Sequence, residues 1–322
     1  MPKSATVSAL PKFRDFQLAT LSDEVPKGDG WLFEMKYDGY RCQAAISGTD
    51  VKLYSRGGHD WTDKFGFVAP ALSKLTKGTL LIDGEICAVD AKGRSDFSLL
   101  KTSLDGKQPI IFFAFDLLEQ DGEAVWRMAQ SERKDRLRAV IGEQADGVPL
   151  IFSDHVEGHG EAAFRAMCEG GYEGMVAKRA SAIYSFGDRS ANWLKVKCVK
   201  RQEFVVIGWR KSEEHVGVRA LFLATYGNGE LVYRGGVGTG FTDKVRKDLM
   251  ATLKPLQSAP LKVEGMPRPD ARDCQWVAPK LLAEVAYTEI TPDGLIRHPS
   301  FKGLREDKGA TDAHLEKPGS LP

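Results

Sequence analysis

The chain has 322 residues, of which 42% are hydrophobic, and its formal net charge is +1 at pH 7. This length suits one large domain or two ordinary ones, and this hydrophobic content can support a buried core. No window approaches the ~20 apolar residues of a membrane span. The first residues lack the apolar segment and cleavage site of a signal peptide. The composition therefore predicts a soluble, intracellular protein, and a near-neutral charge neither supports nor excludes nucleic acid as a partner.

The cysteines are scattered along the chain, and no two of them form a CxxC pair. This spacing disfavours a zinc site and, still more, a disulfide framework. The pattern predicts reduced thiols, as is usual in the cytosol. The positions are Cys42, Cys87, Cys168, Cys198 and Cys274.

The first two-thirds of the chain mixes helical and strand patterns. Residues 1–28 are polar and predict an extended arm. The strand-like runs that follow are "WLFEMKYDGYRCQAAI", "VKLYSR", "TLLIDGEICAV" and "PIIFFAFDLL". Helices are predicted after Thr62 or Asp63, over "SERKDRLRAVIG" with a cap at Ser131, and over "EAAFRAMCEGG". This order predicts an α+β domain over 29–199, built of antiparallel sheets with flanking helices.

The composition changes near residue 200. From Glu203 onward strand patterns dominate, and a single helical segment, "TDKVRKDLMATL", interrupts them. Several strands around one helix, with many glycine turns, predict a C-terminal all-β domain of the OB-fold type over 200–310. The polar segment 311–322 is predicted to be a flexible tail.

One lysine, Lys36, lies in the middle of the first apolar run. Asp38 and Gly39 follow it as a tight turn, and Arg41 comes next. A lysine at a strand end usually extends to solvent. However, a partly desolvated lysine near other cations loses its proton more easily than at its reference pKa of ~10.4. Because a neutral amine is a nucleophile, the stretch favours attack on a carbonyl or phosphoryl group.

Further charged residues lie on other strand-like runs. Asp83 and Glu85 share one face of "LIDGEICAV", and Glu173 precedes an apolar strand. Lys195 and Lys197 alternate with apolar residues and so share one side of "WLKVK". Taken singly, each group has a purely structural interpretation. Asp83 and Glu85 could belong to a polar turn between strands, and Glu173 to a helix-to-strand connection. Lys195 and Lys197 could lie on an amphipathic edge strand. Taken together, a nucleophilic lysine, carboxylates able to hold Mg²⁺ and further lysines suit a phosphate-bearing electrophile.

Seven motifs in this chain resemble those of the covalent nucleotidyltransferases and occur in that family's order. They are "KYDGYR", "SRGG", "DGEI", "FFAFDLL", "EGMVAKR", "WLKVK" and "RHPSFKGLREDK". Their variants, with "GDGWLFEMKYDGYR" and "YSFGDRSANWLKVK", resemble the ATP-dependent ligase module of bacterial end-joining DNA ligases, the ligase D type. The resemblance implies a nucleotidyltransferase domain followed by an OB domain, which agrees with the predicted boundary.

The resemblance implies an ATP-dependent DNA ligase. Lys36 would attack the α-phosphate of ATP to form lysyl-AMP, AMP would pass to a 5′-phosphate, and the 3′-hydroxyl would seal the strand. The residues implied to act directly in these steps are Lys36, Lys195, Lys197, Arg305, Asp307 and Lys308. The last three would orient pyrophosphate when the OB domain closes. The hinge for this closure is predicted at 199–202. The absence of NAD-ligase modules favours ATP over NAD.

The remaining site residues follow from the same resemblance. Glu34 would meet the adenine edge, and Phe115 would stack on adenine. The implied sugar and phosphate contacts are Arg41 with the ribose or the nick, Arg56 with the 5′-phosphate, Arg189 with phosphate, and Lys195 and Lys197 with the α-phosphate. Glu85 would hold the ribose or a metal, and Glu173 is implied as the metal carboxylate, for Mg²⁺ or Mn²⁺.

The resemblance also implies partners and a setting. The substrate would be nicked or broken duplex DNA, and the enzyme a monomer in the bacterial cytoplasm near the nucleoid. A Ku-type end-binding partner follows by analogy. No polymerase or phosphoesterase segment flanks the module, so the chain is a stand-alone ligase or an excised domain. An RNA ligase, a capping guanylyltransferase, an inactive DNA-end scaffold and a Mg²⁺ phosphohydrolase are the alternatives.

Overall fold

A computed structural model describes residues 9–103, 109–198, 200–212 and 217–315. The chain divides into two compact units, and the division falls after Cys198. Each unit has hydrophobic clusters of its own. In the part of the chain that the structure describes, no helix is long and apolar enough to cross a membrane.

The first unit is built around two five-stranded sheets. In chain order its strands are β1 (Leu18–Leu21), β2 (Trp31–Lys36), β3 (Tyr40–Ser47), β4 (Asp50–Ser55), β5 (Thr79–Cys87), β6 (Ile111–Gln120), β7 (Leu150–Phe152), β8 (His155–Glu157), β9 (Gly174–Arg179) and β10 (Arg189–Lys197). Its helices are α1 (Ala69–Leu72), α2 (Phe97–Thr102), α3 (Gln130–Ile141) and α4 (Gly160–Glu169). The strand orders are β1-β10-β9-β2-β8 and β4-β3-β5-β6-β7. Pairing is antiparallel except at β1–β10 and β6–β7.

The two sheets share one buried cluster on their inner faces, whose residues are Ala45, Leu81, Phe115, Leu118, Tyr184 and Trp193. On the outer face of the first sheet, Trp31 and Phe33 pack against Phe164 of α4. The outer face of the second sheet is covered by a larger cluster that includes residues of α1, α2 and α3. Because side chains alternate along a strand, the polar residues of β2 lie on its inner face, toward the second sheet.

The apolar run that contains Lys36 forms two strands rather than one. β2 ends at Lys36 in the first sheet, and β3 belongs to the second sheet. The connecting turn is held against β5, since a Cβ on Gly39 would lie only 2.2 Å from the carbonyl oxygen of Ile86. The backbone N–H of Asp38 also donates to Ser95 Oγ at 2.9 Å. The turn therefore places the end of one sheet beside the other.

Two of the predicted helices differ from the structure. The helix predicted after Thr62 or Asp63 is only a short 3₁₀ turn followed by the four residues of α1. α3 begins two residues earlier than predicted, with Ala129 rather than Ser131 at its N-cap. The reason is tertiary, because the Ser131 N–H donates to the carbonyl oxygen of Ala180 at 3.0 Å. The helix ends before Gly142, whose φ is 61°.

The second unit is dominated by a six-stranded sheet, in the order β14-β13-β12-β11-β15-β18. Its strands are β11 (Lys200–Lys211), β12 (Val218–Gly227), β13 (Glu230–Val237), β14 (Val263–Glu264), β15 (Gln275–Tyr287), β16 (Glu289–Ile290), β17 (Ile296–Arg297) and β18 (Ser300–Arg305), and its helices are α5 (Asp243–Leu253) and α6 (Arg268–Asp273). Thr242 caps α5 by accepting a hydrogen bond from the Val245 N–H at 3.3 Å. Leu249 and Leu253 of α5 pack into the core of the sheet.

Where the structure describes them, both predicted terminal segments contain residues that pack on the sheets. The predicted arm contains β1, which pairs with β10, and its Phe16 is buried. In the predicted tail, Ala313 is buried and His314 Nδ1 lies 3.0 Å from the carbonyl oxygen of Tyr226. Residues 316–322 lie outside the described part of the chain. The polar composition of these segments did not reveal the few apolar residues that attach them.

One cysteine prediction is wrong. The structure contains a disulfide between Cys168, near the end of α4, and Cys198, which follows β10. The two residues are 30 positions apart, and α4 brings them together by packing on the outer face of the first sheet. Cys42, Cys87 and Cys274 are free and buried, as predicted for reduced thiols. Spacing alone could not indicate a pair that only tertiary packing creates.

Candidate active site

The inner face of the first sheet carries two rows of functional side chains. In the first row, Gly174 of β9 lies opposite Lys36 of β2 on one side and Lys197 of β10 on the other. In the second row, Val176 lies between Glu34 and Lys195 in the same way. Directly opposed residues of antiparallel strands share a face. The sheet therefore brings three of the predicted lysines and Glu34 onto one surface.

Gly174 leaves a gap between the two lysines of the first row. Its φ is 157°, and a Cβ there would lie 2.2 Å from the carbonyl oxygen of Val196. A side chain at this position would thus collide with β10, and it would also occupy the space between Lys36 and Lys197. The glycine keeps Lys36 and Lys197 on either side of an open strip of backbone.

Lys36 is paired with a carboxylate. Its Nζ lies 2.5 Å from Glu173 Oε2, and the two side chains are 22% and 6% exposed. Burial acts to lower the pKa of Lys36, but the attraction of Glu173, together with Asp38 and Glu85, outweighs it and raises this pKa above its ordinary value. The expectation that Lys36 loses its proton easily is therefore wrong for this arrangement, because its nearest charged neighbour is an anion.

Arg41, from the second sheet, is engaged by Asp83. The guanidinium donates two hydrogen bonds of 2.6 Å to the Asp83 carboxylate, which also accepts one of 2.7 Å from the Tyr184 hydroxyl. Asp83 is fully buried, and Arg41 Cζ lies 4.7 Å from the centre of the Phe115 ring. Arg41 is thus held rigidly at the inner face, and its contact with the ribose or the nick stays a prediction.

Glu34 lies in a buried ionic network that the sequence did not reveal. Its carboxylate is 2.9 Å from Lys178 Nζ and 3.2 Å from Lys134 Nζ, and all three side chains are at most 2% exposed. Ser153 Oγ donates to it at 3.2 Å. Burial, with the nearby Lys134, lowers the pKa of Lys178 to about 8. The lysine inside "EGMVAKR" was the signal in the sequence that could have indicated this network.

The aromatic residues of β6 are placed in two different ways. Phe115 is buried among the residues of the inner cluster, and Lys178 Nζ lies 4.5 Å from its ring centre. Phe113 stacks on Tyr37, the residue after the nucleophile candidate, with ring centres 4.2 Å apart. Stacking of Phe115 on adenine stays a prediction, and the Tyr37–Phe113 pair is a second aromatic surface that sequence reasoning missed.

The carboxylates near Lys36 fit a metal that is shared with phosphate. Among the described residues no cluster of three or more His, Cys, Asp or Glu is arranged to hold a metal ion by itself. Glu173, Glu85 and Asp38 nevertheless act on the charge of Lys36. Mg²⁺ is commonly bound by one or two carboxylates with phosphate oxygens and water completing its coordination. The donor set at Glu85 and Glu173 is of this kind.

Two further predicted phosphate ligands come from other elements of the first unit. Arg56 is half-buried in the turn that follows β4. Arg189 begins β10, and its guanidinium donates to the carbonyl oxygen of Ala19 in β1 at 2.5 Å. Arg189 thus helps to hold β1 in the sheet, and the phosphate contacts of both arginines stay predictions.

The last motif lies in the second unit, at the end of β18. Arg305 donates two hydrogen bonds of 2.8 Å to the carboxylate of Asp307 and one of 3.0 Å to Glu284. Lys308 is ion-paired with Glu203. The three predicted residues are therefore brought together, and two glutamates that the sequence analysis did not name join them.

A lysine amine beside carboxylates, with further lysines in line along the same sheet surface, can form and stabilise a bond to phosphorus. Together with the ordered motifs, the two-sheet fold and this site define the class of covalent nucleotidyltransferases.

The comparison with known families is more specific. A model of the "ATP dependent DNA ligase domain" matches residues 16–197, and a model of the "ATP dependent DNA ligase C terminal region" matches residues 214–308. The first alone covers more than half of the chain. The chain belongs to the family of ATP-dependent DNA ligases.

Relatives with the same ligase region are found in bacteria. The chain is 37% identical over 330 residues to the multifunctional non-homologous end joining protein LigD of Pseudomonas aeruginosa. The aligned region covers 99% of this chain but 39% of that protein. It is 36% identical over 286 residues to the corresponding LigD of Mycolicibacterium smegmatis, covering 88% of this chain and 37% of that one. The chain thus spans about two-fifths of the length of these curated relatives.

A solved structure supports the fold. The structure of mycobacterial DNA ligase D complexed with ATP and MES matches with a TM-score of 0.67 and 32% identity, covering 92% of this chain and 98% of that one. The predicted fold class, an α+β nucleotidyltransferase domain followed by a C-terminal β-rich domain, is confirmed.

Proposed function

We propose that this chain seals 5′-phosphate/3′-hydroxyl breaks in duplex DNA through a lysyl-AMP intermediate on Lys36. The observation that carries the proposal is the row in which Lys36 and Lys197 flank Gly174, with Glu173 bonded to the Lys36 amine. This row provides one nucleophile and one phosphate-binding cation on a single surface. Membership of the ATP-dependent DNA ligases supports ATP as the nucleotide.

The reaction proceeds in three transfers. The Lys36 amine loses a proton and attacks the α-phosphate of ATP, so that an N–P bond forms and the bond to pyrophosphate breaks. The AMP then passes to the 5′-phosphate of the break and Lys36 is released. Finally the 3′-hydroxyl attacks the adenylated phosphate, and AMP leaves. Adenylation gives the 5′-phosphate a good leaving group, AMP, and the covalent intermediate divides the reaction into easier steps.

Specific residues support the first transfer. Lys195 and Lys197 neutralise charge on the α-phosphate, because they lie on the same face as Lys36. Glu34, held by two buried lysines, reads the adenine edge. Glu173 stabilises the Lys36 ammonium and so has to give up part of that interaction before the amine can attack.

Glu85 and Glu173 are the residues that would hold Mg²⁺ or Mn²⁺. When bound there, the metal would neutralise charge on the phosphate oxygens. Arg305, Asp307 and Lys308 orient the leaving pyrophosphate. DNA contacts from Arg56 and Arg189 to backbone phosphates would make binding weaken as the salt concentration rises.

The proposal is tested with the variant Lys36→Ala and the exposed lysine variant Lys74→Ala as its control. Purified protein is incubated with ATP labelled at the α-phosphate, and then with a nicked duplex that carries a 5′-phosphate. The wild type and the control become labelled and seal the nick, whereas Lys36→Ala does neither and still binds DNA. Sealing by Lys36→Ala at the wild-type rate contradicts the assignment of the nucleophile.

The same assay separates the alternatives. Label acquired only from GTP indicates a capping guanylyltransferase, and sealing of nicked RNA but not DNA indicates an RNA ligase. Hydrolysis of ATP without a covalent lysine adduct indicates a phosphohydrolase. DNA binding without adenylation indicates a scaffold.

We further propose that the biological substrate is a DNA break repaired by end joining. Support comes from the LigD relatives, whose names state that role. A Ku-type end-binding protein is then the expected partner, and the ligase acts as a monomer at the bacterial nucleoid. Stimulation of duplex end joining by such a protein, with no stimulation of nick sealing, is the corresponding measurement.

A further inference from the structure

Two glutamates outside the recognised motifs form a cross-strand pair in the second unit. Glu203 on β11 and Glu284 on β15 are directly opposed in the antiparallel register. Their side chains are 21% and 6% exposed. Like charges in this position destabilise a sheet unless cations accompany them. The pair therefore needs positive side chains close by.

Those cations come from the last motif. Arg305 donates to Glu284 at 3.0 Å, and Lys308 is ion-paired with Glu203. Asp307 holds the other side of the Arg305 guanidinium through two bonds of 2.8 Å. In these bonds Arg305 contacts Glu284 and Lys308 contacts Glu203, and the two glutamates come from neighbouring strands of the sheet.

We infer that Glu203 and Glu284 are positioning residues for the adenylation step, because they hold Lys308 and Arg305 in the arrangement that meets the triphosphate. The inference rests on the proposed function of the motif. An ammonium group has three donors and a guanidinium has five, so each cation can keep its glutamate while it contacts a phosphate oxygen. Protein kinases use the same principle, in which a glutamate ion pair positions the lysine that binds phosphates.

Positioning has a physical benefit for a lysine. A free lysine side chain loses rotamer entropy when it is immobilised. A lysine already held by a glutamate loses less of it on binding phosphate, and the transition state is stabilised accordingly. Glu203 is partly exposed, and partly exposed ion pairs contribute little to folding stability. Loss of Glu203 should therefore be seen in catalysis rather than in folding.

The test compares Glu203→Gln and Glu203→Asp with Glu230→Gln. Glu230 is the matched control, because it forms a similar ion pair with Lys262 on the exposed surface of the same unit. Adenylation is measured as a function of ATP concentration, and sealing is measured separately on a nick that already carries AMP. We expect Glu203→Gln to lower kcat/KM for adenylation by about tenfold, as is typical when the supporting partner of a ligand-binding group is removed. Sealing of the adenylated nick and the unfolding midpoint stay unchanged, and Glu203→Asp restores part of the loss.

A Lys308→Ala background identifies the route of the effect. If Glu203 acts through Lys308, Glu203→Gln has no further effect on adenylation in that background. Glu284→Gln should slow adenylation in the same step-specific way. Unchanged adenylation in Glu203→Gln, or equal losses in adenylation and in sealing of the adenylated nick, overturns the inference. A failure of the proposed function is distinguishable, since wild-type protein would then acquire no AMP at all.

Discussion

Lys36 Nζ lies 2.5 Å from Glu173 Oε2, and this ion pair favours the ammonium form of the candidate nucleophile. Burial alone would favour the neutral amine, but Glu173 and the weaker fields of Asp38 and Glu85 raise the pKa of Lys36. The same carboxylate is the proposed metal ligand. Glu173 therefore links two requirements of adenylation, the binding of phosphate and the release of the lysine proton.

Replacing Glu173 by glutamine should shift the pH dependence of adenylation. Below its pKa, the neutral fraction of Lys36 increases tenfold per pH unit, and the rate should follow it. Removing the opposite charge lowers the pKa of Lys36, so the rising limb should move to lower pH by about one unit or more. The maximal rate should fall, because a metal carboxylate is lost.

Single-turnover adenylation across the neutral and alkaline range measures this shift. Glu161→Gln, in the exposed first turn of α4, is the control and should reproduce the wild-type profile. A Glu173→Gln profile whose rising limb coincides with that of the wild type would show that Glu173 does not control the ionisation of Lys36.

Gly174→Ala should impair both stability and adenylation. The added Cβ would approach the carbonyl oxygen of Val196 to 2.2 Å, and the positive φ disfavours any side chain. Overpacking of this kind typically costs about 1–3 kcal/mol. Gly66→Ala is the control, since a Cβ there meets nothing within 4 Å. Chemical denaturation and adenylation assays on both variants check the expectation, and a Gly174→Ala protein as stable as wild type would contradict it.

Lys178→Met should change how stability depends on pH. The pKa of Lys178 is about 8 in the folded protein against 10.5 ordinarily, so between these values the unfolded chain binds more protons than the folded one. The contribution of Lys178 to the free energy of unfolding therefore rises with pH between these two pKa values, by up to about 3 kcal/mol.

The measurement is the difference in unfolding free energy between the wild type and Lys178→Met, taken at neutral pH and near pH 10.5. As the pH rises, the unfolding free energy of the wild type should increase relative to that of Lys178→Met. Lys74→Met, at an exposed lysine, should show no such trend. A constant difference for Lys178→Met would mean that its pKa is not lowered by burial.

Cys168→Ser should destabilise the oxidised protein. The disulfide closes a loop with a sequence separation of 30, for which the chain-entropy model gives about 3–4 kcal/mol. Reductant should lower the unfolding midpoint of the wild type to that of Cys168→Ser and leave the variant unchanged. Equal midpoints for the wild type with and without reductant would show that the bond contributes no stability.

Much of the fold could be read from local patterns. Alternation in "WLKVK" correctly placed Lys195 and Lys197 on one face, and the glycine in "KYDGYR" correctly indicated a tight turn. The run around Lys36 was nevertheless interpreted as a single strand-like stretch, which this turn divides into β2 and β3. Continuous apolar character looks the same whether a chain stays in one sheet or passes between two.

Charge was the property that sequence reasoning handled least well. Arg133 and Lys134 of α3 have no exposed side-chain surface, since they pair with Asp116 and Glu34. A helical pattern treats such residues as a solvated face, because pairing energy depends on partners far away in the chain. The same limit hid Glu203 and Glu284.

The resemblance of the ordered motifs implied the class of chemistry, and residue types with local periodicity predicted two domains of different secondary structure. Three features came only from the folded chain, namely the ion pair of Lys36 with Glu173, the Cys168–Cys198 bond and the anions that hold Arg305 and Lys308. Each of these depends on distances of a few ångströms between residues distant in the chain. Coulomb energies and covalent bonds vary steeply over such distances, whereas sequence separation carries no information about them.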